Sequence, residues 1–174
     1  MASITAFVEP ESMQLGSAVV DILNDGTVNL PATAKRSYMP SVELSAAGDA
    51  SVLVAVTGRS IRREHRGTTE HTIGTIPSRK PFSRMVRVEI GLNKKFNQYS
   101  DIETGDPQTK LAEQIADLFA SIRVPVSSTL AAFPVNEGSG DAVNHSPFYD
   151  PKLWKENMQF TAIITVNYRL VDIA

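Results

Sequence analysis

The most regular pattern in the chain begins at Gln159, where Phe160, Ala162, Ile164, Val166, Tyr168 and Leu170 alternate with Thr161, Thr165, Asn167 and Arg169. Successive side chains of a strand point to opposite faces, so a period of two predicts a long strand with one apolar face. Ile163 and Val171 interrupt the polar side, which predicts that the second face is partly covered as well. Residues 84–96 share the period, with Val86, Val88, Ile90 and Leu92 set against Arg87, Glu89, Gly91 and Asn93. Residues 51–57, SVLVAVT, are rich in β-branched side chains and too short for a helix. They predict a strand buried on both faces and paired with the 84–96 run.

A period near 3.6 appears in two places. Leu15, Val19, Ile22 and Leu23 fall on one face and predict a helix over residues 12–24, opened at Glu11 or Ser12 and stopped near Gly26. Asp106-Pro107 supplies an N-cap residue and a proline for the first helical position, followed by a stripe of Leu111, Ile115, Leu118, Phe119 and Ile122 that ends before Pro125. Asp150-Pro151 repeats this opening and predicts a short helical turn to Met158. Residues 32–39 predict a short edge strand ended by Pro40, and residues 126–143 a strand fragment followed by a loop. This order predicts one α+β domain over residues 1–174: a single mixed, mostly antiparallel sheet packed by two main helices. The run 160–170 is expected to be a core strand. Its lead-in, residues 146–158, is expected to present aromatics to a neighbour, and the end of the chain to lie at the edge of an assembling subunit.

Composition narrows the class. A length of 174 residues suits one domain with a real core, and 42% apolar with 21% charged residues argues against disorder. No apolar run approaches the length of a membrane-spanning helix, and residues 1–13 lack the basic and apolar regions of a secretory signal, so synthesis in a cytoplasm without membrane partners is expected. Zero cysteines exclude disulfides, thiolate metal sites and cysteine nucleophiles.

The net charge of −2 conceals a split, because residues 59–95 hold ten basic side chains against three acidic ones, a local +7 that leaves −9 elsewhere. Much of the positive charge falls in residues 58–83, GRSIRREHRGTTEHTIGTIPSRKPFS, expected to be a long basic loop between two strands. Ordered loops of this length are uncommon and usually functional. Arg59, Arg62, Arg63, Arg66, Arg79 and Lys80 would suit either a solvated loop or an arm that contacts protein. Phosphate binding is disfavoured, because the loop offers Phe82 as its one aromatic and no nucleic-acid motif.

Catalytic chemistry finds little support. His65, His71 and His145 are scattered without ligand spacing, so no metal is expected. The hydrolase, phosphate-loop and zinc-protease signatures are missing, and the GSG of residues 138–140 opens no helical pattern, which leaves it a flexible turn. The expectation is a protein that is not an enzyme, with no cofactor and no small-molecule substrate. Phe148, Tyr149 and Trp154 are the aromatic candidates for interface anchors, since aromatics and arginine dominate interface energetics; covering the end of the sheet would explain them equally well.

Three stretches carry a resemblance. Val88-Glu-Ile-Gly-Leu-Asn-Lys-Lys95, Leu111-Ala-Glu-Gln-Ile-Ala-Asp-Leu118 and Gln159-Phe-Thr-Ala-Ile-Ile-Thr-Val-Asn-Tyr-Arg169 resemble, in order, a "VDVGIQKK" strand, a "LVEEIADHL" helix and a closing "QFTSVLTVTYR". Tyr38-Met-Pro40 is similar to a "Y-x-P" that precedes them. Together they resemble the tail-completion or tail-terminator proteins of long-tailed bacteriophages. That resemblance implies an α/β fold and a virion protein at the head–tail junction. It further implies a homo-oligomeric ring, with six copies seated on the major tail tube protein, that ends tube polymerisation and offers a docking surface to the head connector. A neck, head-completion or minor baseplate protein is the alternative, and a nucleic-acid-binding module built on the basic loop is a more distant one.

Overall fold

The two alternating runs meet as neighbours. The computed structural model describes residues 9–63, 82–97, 101–136, 140–145 and 147–173. In it β2 (Ala50–Arg63), β3 (Phe82–Lys95) and β7 (Gln159–Asp172) form an antiparallel centre. β3 and β7 pair from Arg84↔Leu170 to Lys95↔Gln159, a register that puts Val86, Val88, Ile90 and Leu92 opposite Tyr168, Val166, Ile164 and Ala162. A one-residue slip would send each of these side chains to the wrong face, so their burial specifies the pairing. Val52 and Val54 of β2 continue the same apolar surface.

The remaining strands flank this centre. β1 (Ala34–Ser37) runs parallel to β2 at one edge. On the other side of β7, β5 (Leu130–Pro134) and the two-residue β6 (Val143–Asn144) follow one another along its length, and β4 (Val124–Pro125) pairs with β5. The result is the α+β sheet that the periodicity predicts. The sheet is mixed and mostly antiparallel, with β1 and β2 the one parallel pair among the described strands.

Helices α1 (Glu11–Leu23) and α2 (Asp101–Ser121) cover the apolar face, α1 against β2 and α2 against β7. Leu15, Val19 and Leu23 of α1 and Ala112, Ile115 and Phe119 of α2 are fully buried or nearly so in one cluster with the strand residues. Each such aliphatic or aromatic side chain contributes roughly 1.5–3 kcal/mol through burial. After α1 the chain reverses through Gly26 at φ +91. The Asn24 side chain then holds the next strand in place, accepting from the Ala34 N–H (2.8 Å) and donating to the Ala34 carbonyl (3.1 Å). The helix α3 (Pro151–Asn157) is capped by Asp150, whose carboxylate accepts from the N–H groups of Lys152 and Leu153.

Two expectations need correction. Helix α2 opens at Asp101, so Pro107 lies inside it and leaves the Glu103 carbonyl without its usual partner. Tertiary packing explains the earlier start: a Cβ built on Gly105 would stand 3.8 Å from the Trp154 ring, so the first turns of the helix rest on an indole. The expected loop over residues 58–83 is shorter, because residues 58–63 continue β2 and residues 82–83 begin β3, paired from Gly58↔Arg87 to Arg63↔Phe82 after a bulge at Val56/Gly58. β7 is interior, with β3 on one side and β5 and β6 on the other, the core strand that its alternation predicts.

The second face of the sheet is covered at one end by a feature the alternation does not announce. Between β1 and β2 the chain crosses β3 and β7 as a strap, residues 38–49. An ideal Cβ on Gly91 would lie 1.6 Å from the Pro40 carbonyl oxygen, so only glycine lets the strap pass. Three buried polar side chains hold it. Gln159 donates to the Val42 carbonyl (2.8 Å) and accepts from the Leu44 N–H (2.8 Å), while Asn93 donates to the Pro40 carbonyl (3.2 Å). Thr161 joins them, accepting from Gln159 (2.9 Å) and donating to Asn93 (3.1 Å). Lys95 adds a bond to the Leu44 carbonyl (2.7 Å).

Two stability predictions follow from this packing. Gly91→Ala forces the strap off the sheet and is expected to cost about 3 kcal/mol or more, read as a lower urea midpoint. Tyr168 is fully buried, and among the described residues its hydroxyl has no hydrogen-bond partner. Burial pushes the phenol pKa up. Tyr168→Phe removes an unsatisfied donor and is expected to raise stability by about 1 kcal/mol in the same assay.

Candidate functional site

The sequence places its candidates in two groups, and the structure separates their fates. In the basic group, Arg59 follows the bulge in β2 with its side chain 47% exposed, 3.9 Å from the Glu11 carboxylate at the start of α1. Glu11 also accepts from Arg84 (2.5 Å), and Arg84 donates to Asp172 at the end of β7 (2.6 Å). One face of this end of the sheet is therefore an ion-pair cluster tying α1, β2, β3 and β7 together. Arg62 and Arg63 complete β2, their backbones paired with Ser83 and Phe82. Arg66, Arg79 and Lys80 lie outside the described residues, as do His65, His71 and most of the GSG turn.

Of the aromatic group, Trp154 is 6% exposed and belongs to the core, so it is withdrawn as a surface anchor. Its ring meets Phe96 and Phe160 edge-on, at 5.8 and 6.1 Å between centroids. The physical reason is the Asp150 cap, which orients α3 so that this indole points inward over the end of β7. Tyr149 packs obliquely on both Trp154 and Phe160 and remains 40% exposed, and Phe148 is 53% exposed. These two sit on the short turn that precedes α3.

The turn faces the strap across the second side of the sheet. Between them runs an open groove of about 500 Å³, walled by Ser41 on one side and by Tyr149 and Pro151 on the other, with Glu89, Ile163 and Thr165 on its floor. The strap carries further exposed apolar side chains, Tyr38, Met39 and Val42. Sequence reasoning found the turn but missed the strap, since Tyr38, Met39 and Val42 belong to no periodic segment. The signals available were Gly91 in the middle of an alternating strand and the amide side chains of Asn93 and Gln159 near the strand ends. One aromatic ring, two prolines and two carboxylates around an open groove suit the binding of a protein segment. Among the described residues no three His, Asp or Glu side chains converge as metal ligands.

His145 links the turn to the strand before it. Its Nε2 donates to the Phe148 carbonyl (3.2 Å), and its ring meets the Phe148 ring edge-on at 5.1 Å. Burial pushes its pKa below the ordinary 6.5, partly opposed by that hydrogen bond and by Glu113. A folded-state pKa below the unfolded one means that the unfolded chain takes up the proton first, so the protein loses stability as the pH falls through about 6.5 and towards the lower folded value. His145→Gln is expected to abolish this part of the acid sensitivity, measured as the difference in urea midpoint between about pH 7.5 and pH 5 for the two proteins.

No protein-family model matches this chain, and no curated protein matches it.

Proposed function

We infer that the chain is a virion structural protein of the tail-terminator type, acting by assembly and without catalysis. In this reading six copies form a ring at the head-proximal end of the tail tube, stop further addition of the major tail tube protein, and present a surface to the head connector. The ring needs a heterologous interface that closes on itself and two chemically different faces.

One observation carries the reading: the stretches with the resemblance are physically interdependent. Residues 88–95 pair with residues 159–166 along the β3–β7 ladder. Ala112 and Ile115 from the helical stretch lie in the core cluster with Ile164, Val166 and Tyr168. The glycine of the "VDVGIQKK" pattern corresponds to Gly91, directly under the Pro40 carbonyl of the "Y-x-P" motif. Local patterns matched by chance would have no reason to include both a glycine and the proline whose passage requires it. The open groove beside the strap and the basic strand end supply two unlike surfaces for contacts between copies.

Imaging of tails assembled without this chain tests the reading. Tails of irregular, excessive length that lack heads are expected; tails of normal length joined to heads would overturn it.

A further inference from the structure

The far end of the β2–β3 ladder, with Arg62 and Arg63, is complementary to the groove and lies too far from it to meet it within one copy. We propose that this strand end of one copy, residues 61–63 with 82–83, seats in the groove between the strap and the 147–151 turn of the next copy. This deepens the ring reading and rests on it.

The chemistry of the groove favours an arginine-bearing strand. Glu89 stands on the floor beside the hydroxyls of Thr161 and Thr165, and Tyr149, Pro151 and Ile163 supply an apolar surround. A guanidinium stacks on aromatic rings and pairs with carboxylates in the same approach, which makes this combination a receptor for arginine above other cations. The strand end offers the matching set. Ile61 is 58% exposed, and positions 62 and 63 are both arginine. Among the described residues β1 pairs with β2 only at positions 52–55, and no described strand pairs with the outer edge of the later residues.

Geometry makes the contact intermolecular. Phe82, opposite Arg63, is seven residues from Glu89 along the same strand, about 23 Å at roughly 3.3 Å per residue. Both segments are fixed in one ladder, so the strand end points away from its own groove. A patch that meets a different patch on the next copy generates a head-to-tail series, which closes to a ring when the rotation permits.

Charge exchange tests the contact. Sedimentation velocity of the full chain is compared for the wild type, for Glu89→Lys, for Arg62→Glu with Arg63→Glu, and for an equal mixture of the two variants. Each variant alone is expected to need at least tenfold more protein to assemble, and the mixture to recover most of the loss, because the variants restore opposite charges in trans. Recovery on mixing also excludes misfolding as the cause. If both variants assemble as the wild type does, or if each is impaired and the mixture stays so, the groove contact is overturned while the tail-length experiment still decides the ring reading. A wild-type chain that remains monomeric at every concentration and on isolated tail tubes overturns both.

Discussion

The antiparallel ladder between β3 and β7 is the constraint on which the rest of the structure depends. Its register sets Val86, Val88, Ile90 and Leu92 against Tyr168, Val166, Ile164 and Ala162, and so creates the surface that α1 and α2 cover. The same register sets Asn93 opposite Thr161 and Glu89 opposite Thr165 on the other face. One set of backbone hydrogen bonds thus positions both the apolar core and the polar floor on which the strap and the groove are built. Side chains on the two faces answer to different physics: burial of area on one, and satisfied hydrogen bonds on the other.

The strap shows how a polar face is buried without penalty. Asn93, Gln159 and Thr161 would be costly beneath a loop if their donors and acceptors were unmet. Instead, they bond to one another and to the main chain of residues 40–44, groups that a loop would otherwise have to leave to solvent. Such a network also fixes the position of the strap over Gly91, and thereby the near wall of the groove. The far wall is fixed independently, by the Asp150 cap and by Trp154 wedged between Phe96 and Phe160. With both walls anchored in the core, the groove has a fixed shape of its own.

How much of this was legible beforehand varies by element. The strands 84–96 and 159–172, the helix 12–24 and the Asp150-opened turn were readable to within a few residues, because each carries its own periodicity or cap. The start of α2 was misread, because Asp106-Pro107 is a strong local signal for a helix opening, and the support for the five residues before it comes from Trp154, far along the chain. The extension of β2 to Arg63 was hidden by a basic, irregular sequence that forms a strand through its partner β3. Of the candidate anchors, Phe148 and Tyr149 are exposed and Trp154 is buried, a difference that their shared aromatic character does not reveal.

By itself the sequence determined the elements, the α+β class and the separation of positive from negative charge, since periodicity, caps and charge are local properties that need no partner. Only the tertiary structure decided that residues 38–49 cross the sheet and that the exposed Tyr149 borders a groove. Those facts depend on contacts between residues more than a hundred positions apart, such as Gln159 with Val42 and Leu44. A polar side chain carries no mark of whether it will face water or a carbonyl from elsewhere in the chain, so the strap became visible only when the ladder brought Gly91, Asn93 and Gln159 together.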